Sequence, residues 1–458
     1  MAGRRYEIDM SKGSILKNMI MFAIPLMLSN ILQLLYNAAD TIVVGRWGGA
    51  ECLAAVGSTA TVTGLLVNFF VGLSVGVAVA ISRKYGAGDM YGLNKTAHTA
   101  VTISVIAGVA SLVLGEVFCY PILELMGTPD DVINLASLYL RIIFIGTPAQ
   151  LIYNFGAAIL RSVGDTRRPL YILSATGIVN VVLNLVLVIG FHMDVAGVAI
   201  ATVTAHYLSA AAVMYILMFS DAPYRISLKK LRVDKEELKE IASVGVPAGL
   251  QSSIYNISNM AIQSSVNSFG TATMAGRAAA NNVEAFVFTS MNSFYQATMT
   301  SVGQNVGAKQ EKRIYKSIWT GMACATVVGA VLGFILYIFG PQLLGLYVTP
   351  DTLDYDKVIA EGMLYMTMIG LPYFMCGIQD VMTGTLRGMG HSKMPALSSF
   401  IGACLFRIGW IKFVLPFNHS TWLLYLCWPI SWIIVITMHV LTFFAVRKKT
   451  IEKMYSNQ

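Results

Sequence analysis

Twelve long apolar runs follow one another along the chain, separated by short breaks of charged residues, glycine and proline. They fall at residues 15–44, 53–82, 94–119, 134–159, 169–190, 196–219, 239–267, 275–304, 314–339, 357–385, 395–416 and 421–446. About 20 predominantly apolar residues in a helix are enough to cross a bilayer, so each run predicts a transmembrane helix. An even number of crossings places both termini on one side. The expected fold class is all-α and integral to a membrane, with twelve transmembrane helices.

Composition agrees and narrows the field. Only 12% of the 458 residues are charged, and 56% are hydrophobic. Soluble proteins carry about 25% charged residues, which excludes an ordinary cytosolic enzyme, a disordered chain and a secreted disulfide scaffold. The six cysteines stand singly, without CxxC spacing, so neither a disulfide framework nor a zinc site is expected. No cleavable signal peptide precedes the first run.

The net charge of +8 has a topological reading. Twenty-six of the 32 basic residues lie in one set of breaks, among them Arg83, Lys84 and Lys95, the cluster Arg225 to Lys239, and Arg447 to Lys453. The opposite breaks hold little beyond Arg46 and Lys357, and they carry the acidic pairs Asp130, Asp131 and Asp354, Asp356. The positive-inside rule then puts both termini in the cytoplasm of a cell membrane. The excess charge is an insertion signal, and no nucleic-acid partner is expected.

The prolines reveal a repeat. Pro25 pairs with Pro247, Pro121 with Pro341, Pro129 with Pro350, Pro148 with Pro372 and Pro169 with Pro395, at offsets of 220 to 226. Their neighbours match as well: Leu160-Arg-Ser-Val-Gly164 corresponds to Leu386-Arg-Gly-Met-Gly390, and Tyr85-Gly-Ala87 to Val306-Gly-Ala308. The chain therefore reads as an N-lobe over 1–220, a cytoplasmic linker over 221–238 and a C-lobe over 239–458. Two parallel six-helix repeats are a transporter architecture, with a substrate site between the halves. A channel or a passive scaffold is the alternative.

Ionisable residues inside spans are costly and are functional candidates. Asp40 lies in the first span, where Gln33, Tyr36, Asn37 and Asp40 share one face at helical spacing. Pro25, about four turns earlier, removes a backbone donor and is a candidate hinge. Asn180 and Asn184 share a face of the fifth span, and the sixth carries Thr202 and Thr204. One carboxylate with amide and hydroxyl oxygens suits a hard monovalent cation, or equally an Asp that takes up a proton. Helix-to-helix hydrogen bonding is the plainer role for the asparagines. In the second half Ile262 stands where Asp40 stands in the first, and Glu284 and Asp380 are the acidic candidates, Asp380 aligning with Asn154. Two motif matches carry no chemistry here. Gly72-Leu-Ser74-Val-Gly76 sits inside an apolar run, and both Asp130-Asp131 and Thr349-Pro350-Asp351 read as helix starts. Without a P-loop, energy must come from an ion gradient or a partner.

Twelve spans in two repeats, Pro25 and Asp40 in the first span, Val302-Gly-Gln-Asn-Val-Gly-Ala308 closing the eighth, and the paired Leu-Arg-x-x-Gly segments resemble the multidrug and toxic compound extrusion (MATE) family over essentially the whole chain. The resemblance implies an antiporter that exports organic, often cationic, compounds or drugs in exchange for Na⁺ or H⁺, with no other cofactor. It implies an N-lobe cation site at Asp40, Asn180, Asn184 and Thr202, with Na⁺ as a candidate occupant. Asn184 stands where some members carry Asp, which leaves one carboxylate and argues against a two-carboxylate proton relay. The seventh-span Glu of other branches is missing between Ile241 and Phe269. The expected substrate-binding residues are Gln33, Tyr36, Asn37, Tyr139, Asn154, Glu284 and Asp380, with Tyr255, Met260 and Phe286 as further lining. A monomer among membrane lipids is expected. A flippase for lipid-linked saccharides is the alternative, and a membrane-embedded enzyme is disfavoured by the lack of a nucleophile–base or metal-ligand constellation.

Overall fold

The computed structural model describes residues 6–348 and 354–456, so Arg4, Arg5 and the helix start expected at Thr349-Pro350-Asp351 lie outside the described residues. The described residues form twelve long helices and no strand. They are α1 (Ile15–Val43), α2 (Gly49–Ala87), α3 (Met90–Leu125), α4 (Asp130–Ser162), α5 (Arg167–Asn184), α6 (Asp194–Phe219), α7 (Lys235–Asn267), α8 (Thr271–Gly307), α9 (Glu311–Ile338), α10 (Tyr355–Gly388), α11 (Lys393–Phe417) and α12 (Thr421–Ser456). Nine expected spans fall inside one of them; 15–44 and 314–339 overrun α1 and α9 by one residue, and 169–190 runs beyond α5 through the π-helical turn Leu185–Gly190. Ten are long and apolar enough to cross a membrane. The exceptions, α7 and α8, are richer in Ser, Asn and Gln.

Helix α3 shows how such a sequence packs. It buries Ala97, Ala100, Ser104, Gly108, Ser111 and Gly115, while Ile106, Val109, Val113 and Val117 are exposed. Small residues inside and branched apolar residues outside are what hydrocarbon surroundings favour, because close helix approach replaces the hydrophobic drive. A Cβ added at Gly108 would come within 2.5 Å of the Pro148 backbone, so that glycine sets the approach of α3 to α4.

The repeated motifs are backbone devices. In Leu160-Arg-Ser-Val-Gly164 the glycine is left-handed (φ +89°); its N–H donates to Arg161 O, and Asp165 N donates to Leu160 O. In Leu386-Arg-Gly-Met-Gly390 the glycine again has positive φ (+84°), with Gly390 N on Arg387 O and His391 N on Leu386 O. Both are Schellman stops, satisfying the last carbonyls of α4 and α10. At the α2–α3 turn Gly88 is left-handed (φ +72°) and the Asp89 carboxylate caps Gly92 N at 2.8 Å. The equivalent α8–α9 turn uses Lys309 at φ +55°. The start of α4 is capped by backbone alone: Val132 N and Ile133 N both donate to Pro129 O, and no side chain caps it.

The chain divides into two compact units. The first comprises the described residues through Asp9 together with Leu28–Val246; the second comprises Met10–Met27 and the described residues from Pro247 onward. The division therefore falls inside α1, two residues after Pro25, and inside α7 at Pro247, whereas the sequence pattern placed it at the 221–238 connection. The amino-terminal part of α1, through Met27, thus belongs to the second unit, and that of α7, through Val246, to the first. In the first unit α4 packs on α2, α3 and α6; in the second, α8, α9 and α10 pack on one another and α10 on α12.

Polar contacts hold both exchanged segments. In the first unit Glu237, at the start of α7, is 6% exposed and accepts from Lys84 Nζ and from Thr96 Oγ1 (2.6 Å). In the second, Gln304 Oε1 accepts from Met10 N (2.8 Å), and Arg313 donates to Met10 O and Gly13 O (2.9 Å each). Gln304 and Asn305, the polar centre of the 302–308 motif, are fully buried there.

Candidate functional site

The first unit brings Asp40, Asn180, Asn184 and Thr202 into one ring of hydrogen bonds. Asn184 Nδ2 donates to Asp40 Oδ1 and, at 3.4 Å, to Asn180 Oδ1. Asn180 Nδ2 reaches Thr202 Oγ1 at 3.4 Å, and Thr202 Oγ1 donates to Asp40 Oδ2 at 3.4 Å. The i, i+4 spacing on α5 stacks the two amides, and α1 and α6 supply the carboxylate and the hydroxyl. Asn180 is 5% and Asn184 0% exposed.

The ring is loosely closed and leaves one acceptor over. Asn184 Oδ1 is buried without a hydrogen-bond partner. A sealed, unpaired carbonyl oxygen is costly, and here it sits beside a carboxylate. Both features are answered by a small cation: a carboxylate, two amide oxygens and a hydroxyl form an all-oxygen donor set with one negative charge. One carboxylate among neutral oxygens could hold a monovalent ion or a proton. The helices relax beside it. Helix α1 passes into a π-helical turn at Val44–Gly48 and α5 into another at Leu185–Gly190, immediately after Asn184, and such wide turns recur at functional sites.

Other expected residues divide. Tyr139 lies within electrostatic reach of the Asp40 carboxylate. Tyr36 Oη donates to Ser174 O at 3.3 Å and its ring occupies the space left by Gly177, so it packs α1 on α5. Gln33 and Asn37 are exposed on α1, and neither they nor Asn154 hydrogen-bonds the carboxylate. Pro25 lies within an unbroken α1.

The second unit has a different chemistry. Ile262 is fully buried in an apolar cluster. Glu284 accepts from Tyr365 Oη and Tyr373 Oη, both tyrosines being nearly sealed. Arg277 donates to Gln263 Oε1 at 2.8 Å and lies over the Trp428 ring, which Arg407 also faces at 5.1 Å. The Asp380 carboxylate makes no hydrogen bond among the described residues; its neighbour Gln379 donates to Tyr255 Oη at 3.0 Å. Glu284 and Asp380 thus differ from Asp40 in having no amide and hydroxyl ring.

Sequence reasoning missed the partners of these groups. Tyr365 and Tyr373 lie some 80 to 90 residues from Glu284, and Arg387, 7% exposed, is held by Tyr295 Oη (2.5 Å) and Gln251 Oε1 (2.7 Å) from two other helices. No local spacing announces such contacts. Ser74 Oγ, by contrast, simply donates to Val71 O at 2.7 Å within α2.

Comparison with known proteins places this architecture. The family model "MatE" matches residues 25–186 and again 247–410, one match per repeat. The "Probable multidrug resistance protein YoeA" of Bacillus subtilis is 31% identical over 396 residues, covering 85% of this chain and 84% of that protein. The "Multidrug export protein MepA" of Staphylococcus saprophyticus is 23% identical, covering 85% of each. A crystal structure of a MATE protein in complex with MaL6 superposes with a TM-score of 0.89 over 97% of this chain and 98% of that one, at 21% identity. The chain belongs to the MatE family, the multidrug and toxic compound extrusion family that its sequence resembles.

Proposed function

We propose that the protein is a secondary active antiporter that exports organic, often cationic, compounds or drugs in exchange for Na⁺ or H⁺ by alternating access. The observation that carries this reading is the Asp40–Asn184–Asn180–Thr202 ring with its leftover acceptor oxygen. The printed names of the multidrug-resistance and multidrug-export relatives supply the substrate class.

The residues have distinct tasks. Asp40 holds the coupling cation or proton; Asn180, Asn184 and Thr202 supply neutral oxygens that hold it without adding charge. With the ion bound the carboxylate is neutralised, which removes much of the cost of keeping it in the membrane and shifts a two-state equilibrium in favour of the conformer that holds the ion more tightly. Pro25, lacking an N–H on the helix that carries Asp40, is the hinge by which α1 responds. Tyr139 and Tyr36 line the approach, with Gln33, Asn37 and Asn154 as polar anchors and Glu284 and Asp380 as the acids of the second unit. The distribution of basic residues supports cytoplasmic termini in the cell membrane, and the reading requires no partner beyond lipids.

The test is efflux of a fluorescent organic cation from vesicles carrying the purified protein, with Na⁺ and proton gradients imposed separately. Gradient-dependent efflux that vanishes in Asp40→Asn is expected. Equal efflux with and without every gradient would sink the antiport reading. The flippase alternative draws on buried Arg277, Arg387 and Arg407, yet each already has a protein hydrogen-bond partner; a lipid-flipping assay in the same vesicles separates the two.

A further inference from the structure

The connection after α6 forms a built groove that the transport reading does not use. Asn94 Nδ2 donates to Pro223 O and Arg225 O at 2.9 Å each, tying the connection to the first turns of α3. His98 continues the tie. Ser227 N donates to His98 Nε2 at 3.0 Å, so the ring proton sits on Nδ1 and is given to Asn94 O at 2.9 Å. A short 3₁₀ turn at Leu228–Lys230 then completes a concavity of about 550 Å³.

Its two walls differ. One is apolar, with Met218, Phe219 and Leu228; Phe219 is 67% and Leu228 57% exposed, although Phe219 ends a membrane-spanning helix. The other is cationic, with Arg225, Lys229 and Lys230. Three acids near this connection are engaged elsewhere: Asp234 with Lys95 at 2.9 Å, Glu237 with Lys84, and Glu240 with Lys84 (3.4 Å) and Arg83 (3.8 Å). Among the described residues no carboxylate pairs with Arg225, Lys229 or Lys230. Three uncompensated cations next to an exposed apolar edge, at the end of a membrane helix, complement an anionic headgroup whose acyl chains lie along α6.

We infer that this groove binds the headgroup of an anionic phospholipid, with Lys229 and Lys230 on the phosphate and Phe219 against the upper acyl chain. The inference rests on the orientation proposed above only for assigning the cytoplasmic leaflet; binding to the purified protein does not depend on it. Juxtamembrane cations contribute about a five-fold change in lipid affinity each.

The test uses the full-length protein in detergent, with bound dioleoylphosphatidylglycerol counted by native mass spectrometry and dioleoylphosphatidylcholine as the neutral comparison. Wild type should retain phosphatidylglycerol, and Lys229→Gln/Lys230→Gln should weaken that binding about 25-fold. The exposed second-unit pair Lys312→Gln/Lys316→Gln should leave it unchanged, and Phe219→Ser should also weaken it. Thermal melts confirm that each variant is folded. Unaltered binding by the Lys229/Lys230 variant, or equal loss in both double variants, overturns the groove. Displacement of the lipid by inorganic phosphate, with no effect of Phe219→Ser, overturns the lipid assignment for a soluble phosphate site.

Discussion

Replacing Asp40 with Asn separates charge from shape more cleanly than any other change in the first unit. The carboxylate accepts from Asn184 and from Thr202. In Asp40→Asn one oxygen still accepts, and the new amide N–H needs an acceptor. Asn184 Oδ1, left over in the wild-type ring, provides it when the Asn184 amide turns over. The turn gives up the Asn184 Nδ2 to Asn180 Oδ1 bond, so the ring loses one hydrogen bond net, and the fold should change by only about 1 kcal/mol. The electrostatic loss is larger. A unit charge about 4 Å from a bound monovalent cation, at an effective dielectric near 20, contributes about 4 kcal/mol, or roughly a thousand-fold in ion affinity. For a proton the loss is complete, because an amide does not titrate in this range. Efflux against an imposed ion gradient should thus fall by two to three orders of magnitude (about 10²–10³-fold), with the thermal midpoint almost unmoved. Ion-dependent stabilisation of the wild type, which follows from preferential binding to the folded state, should disappear. Gradient-driven efflux within ten-fold of wild type (about 1.4 kcal/mol) would refute the assignment of Asp40 as the coupling group. Loss of efflux together with a large drop in midpoint would show that the ring is structural.

Other consequences can be checked on the same preparations. Glu237→Ala leaves Lys84, only 15% exposed, without its closest acid, and denaturant unfolding should show a loss of about 3 kcal/mol, the low end for a broken buried pair because Glu240 remains at 3.4 Å. Lys309→Gly relieves a left-handed residue at about 1–2 kcal/mol against the extra chain entropy of glycine, so a gain of about 0.5 kcal/mol is expected, whereas Gly88→Ala at the matching turn should destabilise. Burial, opposed by Arg168, holds the Asp165 carboxyl above its usual range. Its folded form therefore favours the proton, and its contribution to stability is present in acid and lost as pH rises through the raised value. The wild type should lose stability relative to Asp165→Asn over that window; a difference constant with pH would contradict this.

The fold was legible because its signals are local or periodic. Twelve apolar runs locate twelve helices, and glycines such as Gly164 and Gly390 mark helix stops through a backbone geometry that few other residues accept. The four ring residues were also legible, since Asp40 is conspicuous in an apolar run and Asn180 and Asn184 lie one turn apart. What they touch was not. Tyr365 and Tyr373 on Glu284, or Tyr295 and Gln251 on Arg387, come from helices far apart in the chain. Their hydroxyls and amides look like ordinary span residues until packing brings them together. The unit boundary was hidden for a related reason: it lies inside α1 and α7, where hydrophobic periodicity continues unbroken.

The duplicated halves show which physical constraints persist when a repeat diverges. Where a motif fixes backbone dihedrals, both copies keep it, as in the two Leu-Arg-x-x-Gly stops. Where a motif requires only a reversal of direction, glycine can give way to Lys309 at a modest strain. Where a position carries chemistry, nothing in the fold preserves it: Asp40 in one half corresponds to Ile262 in the other, and Ile262 is sealed in apolar packing. An unpaired carboxylate at that second position would cost several kcal/mol in the membrane without the amide and hydroxyl ring that α5 and α6 supply in the first. The amide and hydroxyl ring is therefore a property of one unit, and the acids of the other, Glu284 under two tyrosines and Asp380 beside Gln379, must be judged by their own surroundings rather than by symmetry.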